Sequence, residues 1–369
     1  MNAVILILGA AADAAANGAN DNFKGVATLF GSRTASYRTS LIWATFTTFA
    51  GAVTAVLIGA RLAAAFTGGG LLPAGAMAAH GLLPSVAIGA ALTVGLAARV
   101  GLPISTTHAL LGALLGAGGI ASAGHLNFSV LTNRFVAPLL LSPVAAFALV
   151  AGAYPVLSRV RRGLGITASS CVCVAPEAEP IMLGTGALVI RSRPIVHTCD
   201  RRYAGAVLGV DAQQVVAGAH FMSAGLQSFA RGLNDTPKIA ALLLGASIAG
   251  ARLTALPAFL VVAVVMMVGG WLGARRVGET MSHRITSLND GQALTSNAVT
   301  AALVLAASLF ALPVSMTHVA VGSLAGLGWS TGEAQWSTLR TIALSWLLTL
   351  PLAAALAAGT FVLAERILS

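Results

Sequence analysis

The feature that most constrains this chain is a charged motif that occurs twice, each time directly after an apolar run. Residues Gly18 to Lys24 read G-A-N-D-N-F-K, and residues Gly232 to Lys238 read G-L-N-D-T-P-K, 214 positions later. Lys24 and Lys238 are the only lysines in the sequence. The repeat predicts a chain of two related halves, each of which places an acid, a base and a carboxamide in apolar surroundings.

These surroundings are too apolar for a soluble globule. The chain is 57% hydrophobic and only 9% charged, whereas about 25% of an average soluble domain is charged. A helix that crosses the ~30 Å hydrocarbon core of a bilayer needs about 20 apolar residues. We therefore predict an all-α integral membrane protein. Apolar runs of the required kind lie near 41–66, 84–101, 134–157, 204–230, 253–274, 294–312 and 339–364. The apolar segment 1–16 lacks the charged start of a signal peptide and is predicted to be a short or broken membrane helix.

The positive charge of the chain indicates its orientation rather than a nucleic-acid partner. A formal net charge of +10 would suggest nucleic acid in a soluble protein, but here the arginines fall in short connections, as the positive-inside rule expects. Arg33 and Arg38 follow the first helix, and seven further arginines lie between positions 159 and 202. We assign both regions to the cytoplasm, which puts the N-terminus outside and predicts a multi-pass protein of the plasma membrane.

A second duplicated motif follows the first in each half. Residues Pro103 to His108 read P-I-S-T-T-H, and residues Pro313 to His318 read P-V-S-M-T-H, 210 positions later. The apolar stretch 109–123 that follows the first copy is short for a crossing and is typical of a re-entrant element. We predict a first membrane repeat at 1–157, a cytoplasmic loop or small insert at 158–203, and a second repeat at 204–369. Two repeats of inverted topology with broken helices would place a substrate site between them near the midplane.

The residues of both motifs suit an anion. An unpaired charge inside a bilayer costs about 2.5–3.5 kcal/mol, so the motif aspartates and lysines are expected to have partners around a polar cavity. Gly18 and Gly232 are predicted to allow an unwound turn that lines this cavity. Ser105 and Ser315 are predicted to cap short helices whose first N–H groups bind an oxyanion such as phosphate or sulfate.

Glycines four residues apart would let the two short elements approach each other closely, namely Gly112 with Gly116 and Gly322 with Gly326.

Other polar residues have two interpretations. Asp13 lies on the helical face of Asn20 and Asp21 and is a candidate for coupling, although its counterpart in the second half is Gln227. His108 and His318 are candidate proton carriers that could equally bond only the backbone. The central segment contains Cys171, Cys173, His197 and Cys199. These are metal-ligand residue types, but C-x-C is tighter than the usual spacing, so we expect neither a metal site nor a cofactor there.

At these motifs the chain resembles the inorganic phosphate transporter (PiT) family, which carries G-A-N-D-x-x-N-A and P-[IV]-S-T-T-H in each of two inverted halves. The resemblance implies a homodimeric secondary transporter of phosphate driven by sodium or protons. In the family the motif aspartates, here Asp21 and Asp235, also help to hold the coupling cation. The second Asn of the family motif is replaced here by Lys24 and Lys238, which we add to the expected anion contacts. The other expected contacts are Asn20, Asp21, Ser105, Thr106, Thr107, Asn234, Asp235, Ser315 and Thr317.

Other functions remain open at this point. The transported oxyanion could be sulfate or bicarbonate instead of phosphate, and duplicated broken helices also occur in passive anion channels. A membrane enzyme that uses Ser, His and Asp is the least favoured alternative, because duplicated halves offer no single distinctive nucleophile. The sequence therefore predicts a cation-coupled phosphate transporter that is not an enzyme and that works by alternating access.

Overall fold

Helices make up most of the chain. The computed structural model describes residues 2–67, 70–77, 79, 81–174, 180–182, 188–190, 198–207, 209–245 and 254–368. The first half contains α1 (Asn2–Asp21), α2 (Ala27–Gly31), α3 (Tyr37–Ile58), α4 (Ala60–Phe66), α5 (Ala74–Met77), α6 (Leu82–Val100), α7 (Thr106–Ala121), α8 (Phe128–Val130), a π-helical turn (Leu131–Val136) and α9 (Ala137–Gly163). The second half contains α10 (Ala212–Gly245), α11 (Ala255–Gly273), α12 (Arg275–His283), α13 (Asp290–Leu309), α14 (Met316–Thr331) and α15 (Trp336–Leu368).

The predicted membrane class is confirmed. Among the described residues, seven helical segments are long and apolar enough to cross a bilayer. They are 3–21, 37–58, 82–100, 128–163, 255–273, 290–309 and 336–366. The predicted span at 41–66 is divided, because α3 ends at Ile58 and α4 begins at Ala60. The predicted span at 204–230 is not among the seven, since the helix there, α10, begins at Ala212 and continues to Gly245 with the second charged motif inside it. The segment 1–16, predicted as a short or broken helix, belongs instead to the candidate span 3–21. The segment 109–123 lies largely in α7, a helix of 16 residues that is too short for a simple crossing.

The central segment contains short antiparallel strands, which are β1 (Thr167–Val174), β2 (Pro180–Met182), β3 (Leu188–Ile190), β4 (Thr198–Ala204), β5 (Ala206–Val207) and β6 (Val210–Asp211). They form the pairs β1–β4, β2–β3 and β5–β6. Tyr203 at the end of β4 anchors this segment to the helices, since its hydroxyl donates a 2.7 Å hydrogen bond to Asn289. Burial raises the pKa of Tyr203 to about 12, so the phenol keeps its proton at neutral pH.

The two halves are interleaved rather than side by side. α1 packs on α11 and α10 on α3, while α7 packs on α15 and α14 on α9. Each of these contacts joins one half to the other. When the halves are exchanged, the contact of α1 with α11 corresponds to that of α10 with α3, and the contact of α7 with α15 corresponds to that of α14 with α9. The contact pattern therefore has the two-fold character that the duplicated motifs predict.

The duplicated glycines do not join the two short helices, as the sequence had suggested. A side chain at Gly112 or Gly116 would meet the backbone of Leu350 or Ala354 in α15. Equivalently, the glycines of α14, Gly322 and Gly326, face backbone atoms of α9. Small residues at these positions let each short helix lie against the long last helix of the opposite half.

The motif glycines likewise have a packing role. Gly18 lies inside α1 against the backbone of Met266, and Gly232 lies inside α10 against the backbone of Thr48. The predicted unwound turn at these glycines is wrong, because their missing side chains serve close helix contact instead. The first motif breaks after Asp21, where α1 ends, whereas α10 continues through the second motif with Pro237 inside it.

Candidate functional site

The two duplicated motifs meet in the protein interior. The end of α1 and the middle of α10 bring the Asn-Asp-Lys residues to the beginnings of α7 and α14. All of the predicted anion contacts are buried, with relative exposures of 3% or less; they are Asn20, Asp21, Lys24, Ser105, Thr106, Thr107, Asn234, Asp235, Lys238, Ser315 and Thr317. The structure thus gathers into one region residues that are up to 297 positions apart in sequence, from Asn20 to Thr317.

Lys24 lies at the centre of the first half of this region. Its Nζ forms an ion pair with Asp21 and donates to Asn20 Oδ1 at 2.7 Å. It also donates to the carbonyl oxygen of Ile104 at 2.8 Å and to the hydroxyl of Thr317 at 2.6 Å. Since Thr317 belongs to the second half of the chain, Lys24 joins the two halves directly.

Lys238 makes the equivalent contacts from the second half. Its Nζ is 3.1 Å from Asp235 Oδ1, 2.7 Å from the carbonyl oxygen of Val314 and 2.9 Å from the hydroxyl of Thr107. The partners correspond at the offset of 210 found in the sequence, which relates position 104 to 314 and position 107 to 317. The expected partners of the buried motif charges are therefore present, and they obey the internal symmetry.

The two short helices begin at the predicted residues. Ser105 caps α7 by accepting a hydrogen bond from the backbone N–H of His108, at 3.1 Å. Ser315 caps α14 in the same way, with His318 as the donor at 3.3 Å. In both cases the cap residue follows a proline by two positions and has extended backbone, which fixes the direction in which the helix starts.

The motif asparagines hold the segments that lead into these helices. Asn20 Nδ2 donates to the carbonyl oxygen of Leu102 at 2.9 Å, and Asn234 Nδ2 donates to that of Val314 at 3.3 Å. Thr106 is also part of the cluster, since its hydroxyl donates to Asp21 Oδ2 at 3.3 Å. The asparagines therefore position the beginnings of α7 and α14 relative to the charged residues.

Arg231 is a component of the site that the sequence interpretation missed. Its guanidinium is fully buried, with Nε 3.7 Å from Asp235 Oδ2 and one terminal nitrogen 3.1 Å from Asn22 Oδ1. It also donates to the side-chain oxygen of Asn17. The expectation that the arginines lie in connections fails here, because Arg231 is inside α10.

A signal for Arg231 was present in the sequence. At the offset of 214 it corresponds to Asn17, the very residue to which it bonds. Asn17 in turn donates to Asp21 Oδ2 at 3.1 Å and to Thr106 Oγ1 at 2.9 Å. With Lys24, Lys238 and Arg231 against Asp21 and Asp235, three cations and two carboxylates leave one positive charge in this part of the cluster.

The candidate coupling residues have distinct environments. Asp13 is fully buried in α1, and within the described part of the chain neither carboxyl oxygen has a hydrogen-bond partner. The rings of His108 and His318 lie against each other, with centroids 4.5 Å apart. His318 Nδ1 is 3.4 Å from the carbonyl oxygen of Leu139, a backbone bond of the kind anticipated as the alternative to proton transfer. Asp13 is thus a buried acid without a hydrogen-bond partner in the described structure, and Nδ1 of His108 and Nε2 of His318 likewise have none there.

A cavity of about 870 Å³ lies on one side of the site, outside the motifs. Its lining includes Thr34, His283, Arg284 and Asp290. None of the motif residues lines this cavity, and in the described structure the lysines and aspartates of the motifs contact one another.

Hydrogen bonds lead from this cavity into the protein. His220 is buried between Asp290 Oδ1, at 2.9 Å, and Thr28 Oγ1, at 3.0 Å. Asn297 donates to the same Thr28 hydroxyl at 2.9 Å. Further along α13, Thr300 donates to Ser323 of α14 at 2.8 Å. Buried polar side chains therefore extend from the cavity wall at Asp290 to Ser323 of α14.

The equivalent positions on the other side are apolar. The internal offsets relate His220, Thr28, Asn297, Thr300 and Ser323 to Leu6, Leu242, Ala87, Ala90 and Ala113. These five apolar residues are buried members of one hydrophobic cluster. The site is thus nearly symmetric at its centre, whereas the surrounding residues differ. The network of His220 forms a polar side, and the equivalent positions form an aliphatic side.

The side chains of Cys171, Cys173, His197 and Cys199 lie outside the described part of the structure, so the expectation of no metal site there stays a prediction. Cys173 of β1 lies opposite Cys199 of β4 in the strand register, and His197 is outside the described residues. Among the side chains that the structure describes, no group of three or more His, Cys, Asp or Glu residues could hold a metal ion.

Comparisons with known proteins agree with this architecture. A probable low-affinity inorganic phosphate transporter of Bacillus subtilis is 24% identical over 378 residues, covering 99% of this chain and 97% of that protein. A probable low-affinity inorganic phosphate transporter of Mycobacterium leprae is 26% identical over 271 residues; the match spans 71% of this chain and only about half, 55%, of that longer relative.

The fold also has a solved counterpart. A structure described as the sodium-dependent phosphate transporter superposes with a TM-score of 0.76 and covers 99% of both chains, at 21% identity. The model of the phosphate transporter family matches residues 17–357, a range that contains both copies of both motifs. The duplicated motifs, the interleaved helices and this match agree, and the chain belongs to the phosphate transporter family.

Proposed function

We propose that this protein carries inorganic phosphate across a membrane by alternating access. The observation that carries the proposal is the reciprocal contact of the two lysines, each of which reaches a threonine at the beginning of the opposite half's short helix. A site built from both halves changes shape when the halves move against each other, as transport between two membrane sides requires.

Phosphate fits the donors that converge there. The cluster contains hydroxyls, carboxamides and three buried cations, and it lies at the beginnings of α7 and α14, where a helix dipole favours an anion. In the proposed bound state, Ser105, Thr106 and Thr107 bind phosphate with Ser315 and Thr317. The motif asparagines, Asn20 and Asn234, together with the charged residues of the cluster, complete the site.

The difference between the two sides supports alternating access. In the proposed cycle phosphate enters through the polar side when the contacts of His220 and Thr28 separate; in the conformation described here both residues are buried. The cavity with Arg284 and His283 in its lining would attract an anion to that entrance. The opposite state opens when the aliphatic residues around Ala90 and Ala113 separate.

We further propose that protons, rather than sodium, drive net uptake, and that Asp13 carries them. Its carboxyl group is fully buried and without a described partner, and a charge in such a position is costly inside a membrane. Binding and release of one proton at Asp13 during the cycle would link phosphate movement to a pH gradient. His108 and His318 are further candidates for this role.

We also propose a location and an oligomeric state for the protein. Seven apolar helices and the family support a multi-pass membrane protein. The arginines of the central segment favour a cytoplasmic position for it, which fits a plasma-membrane transporter. Homodimer formation is inferred from the family resemblance.

Uptake into proteoliposomes tests the proposed substrate. Radiolabelled phosphate should accumulate in vesicles when the outside is more acidic than the inside, and excess unlabelled phosphate should compete far better than sulfate or bicarbonate. Empty liposomes and liposomes with Thr341→Ala protein are the matched controls, because Thr341 is exposed and its hydroxyl donates to the carbonyl oxygen of Ser337 within α15. Stronger competition by sulfate or bicarbonate than by phosphate would reassign the substrate.

A further inference from the structure

The ammonium groups of both lysines occupy positions that resemble binding sites for a small cation. Around Lys24 Nζ stand a carboxylate oxygen of Asp21, the amide oxygen of Asn20, the carbonyl oxygen of Ile104 and the hydroxyl of Thr317. Transporters use such oxygens, particularly backbone carbonyls next to broken helices, to coordinate sodium or protons. Four oxygens also exceed the three N–H donors of one ammonium group.

The second lysine has the same kind of surroundings. Lys238 Nζ lies between a carboxylate oxygen of Asp235, the carbonyl oxygen of Val314 and the hydroxyl of Thr107. Both lysine side chains are at most 1% exposed. They are also the only lysines of the chain, and they stand at equivalent positions of the two motifs. Two equivalent oxygen cages are thus each filled by a covalently attached cation.

A mobile cation has no room in these cages while the ammonium groups remain. A sodium ion bound by the same oxygens would stand directly beside a lysine charge, and two like charges at such a distance repel strongly in a buried site. The ammonium group also uses the carboxylate that would otherwise compensate the ion. The charge that sodium would supply to the site is therefore already present.

We propose that Lys24 and Lys238 act as resident cations, which take the place of two sodium ions and make transport independent of sodium. The proposal rests on the proposed phosphate transport, and it specifies the role of two residues in that site. Each lysine neutralises its motif aspartate and holds the opposite half's helix start through a threonine. These two effects are therefore present in any medium, whereas a bound sodium ion would supply them only when sodium is in the medium.

The wild-type protein supplies the first test. Phosphate uptake into proteoliposomes should change by less than about twofold when sodium is replaced by choline at constant ionic strength and pH gradient. The melting temperature of the purified protein should also be the same in sodium chloride and choline chloride, because no sodium site stabilises the fold. A tenfold or greater loss of uptake in choline would overturn the proposal, as would a melting temperature that rises with sodium concentration in a saturable way.

The double variant Lys24→Asn with Lys238→Asn supplies the second test. It empties both cages and leaves their oxygens in place, so sodium should now raise its melting temperature and should restore uptake by about tenfold over choline. Arg275→Asn is the matched control, since it removes a positive charge from a side chain that is 77% exposed, and it should respond like the wild type. A folded double variant without any response to sodium would contradict the proposal.

The two proposals fail in different ways. If neither salt supports phosphate uptake, the proposed function is wrong, while the melting measurements still decide whether the lysines exclude sodium. If uptake is normal but requires sodium, phosphate transport stands, whereas the resident-cation role and uptake driven by protons alone are both wrong. Should the double variant not fold, the wild-type measurements alone decide the matter.

Discussion

Lys24 of the first half donates a 2.6 Å hydrogen bond to the hydroxyl of Thr317 in the second half. The same hydroxyl donates at 2.7 Å to the carbonyl oxygen of Ile104, which also accepts from Lys24. A lysine, a threonine and a backbone carbonyl thus form a closed triangle across the junction of the halves. Lys238, Thr107 and Val314 form the equivalent triangle, with the threonine donating to the carbonyl at 3.2 Å.

This pairing predicts that the two threonines matter equally. Thr317→Ala and Thr107→Ala should each weaken phosphate affinity by about 1.5–3 kcal/mol, or ten- to a hundredfold, because each removes a hydrogen bond to a charged group. The measurement is the phosphate concentration that gives half-maximal uptake. Thr341→Ala serves as the control and should leave the affinity unchanged. A large effect at one threonine and none at the other would contradict a site shared by both halves.

Arg231 is predicted to be essential for stability. Removing one partner of a buried ion pair costs about 3–5 kcal/mol, so Arg231→Ala should lower the melting temperature of the purified protein strongly. The comparison is Arg275→Ala, which breaks an exposed pair with Glu279 and should cost no more than about 1 kcal/mol. Equal melting temperatures for these two variants would show that the Arg231 contacts contribute little.

Two neighbouring glycines of α7 should respond differently to the same substitution. A methyl group at Gly116 would overlap the backbone of Ala354, whereas a methyl group at Gly119 would meet open space. Gly116→Ala is therefore expected to destabilise the protein by about 1–3 kcal/mol through overpacking. Gly119→Ala should be neutral or slightly stabilising, because alanine favours helix. Thermal unfolding of both variants in the same detergent tests the contact between α7 and α15.

Asp13→Asn is predicted to uncouple transport from protons. The amide has nearly the same size but cannot exchange a proton at neutral pH, so the stimulation of uptake by a pH gradient should disappear. Exchange of phosphate at equal pH on both sides should persist. The control is Gln227→Asn, which shortens the equivalent uncharged side chain of α10. Unchanged stimulation by a pH gradient in Asp13→Asn would remove that residue from the coupling role.

The class of fold and the central residues were predictable because they depend on local patterns. Apolar length predicted six of the seven candidate spans, but it also predicted one at 204–230 that is not among them. The offsets of 214 and 210 related the two halves. A serine two positions after a proline correctly indicated the starts of α7 and α14. The buried lysines were expected to have acidic partners, since isolated charges are costly in a membrane.

What the sequence could not predict depends on contacts between distant segments. A glycine such as Gly232 has the same sequence signal whether it breaks a helix or admits a neighbouring backbone, and only the position of α3 decides between them. The partner of Arg231 lies 214 positions away, so its burial could be inferred only from the alignment of the halves. The difference between the polar and aliphatic sides became visible once the network around His220 was known.

Counterflow in proteoliposomes tests the central claim most directly. Vesicles are loaded with unlabelled phosphate or with unlabelled sulfate, and the entry of dilute radiolabelled phosphate is followed without sodium and without a pH gradient. A carrier that alternates between two sides should take up label several-fold faster and transiently above equilibrium in the phosphate-loaded vesicles alone. Equal entry into both sets of vesicles, with no transient excess, would contradict alternating access and would indicate a passive pore.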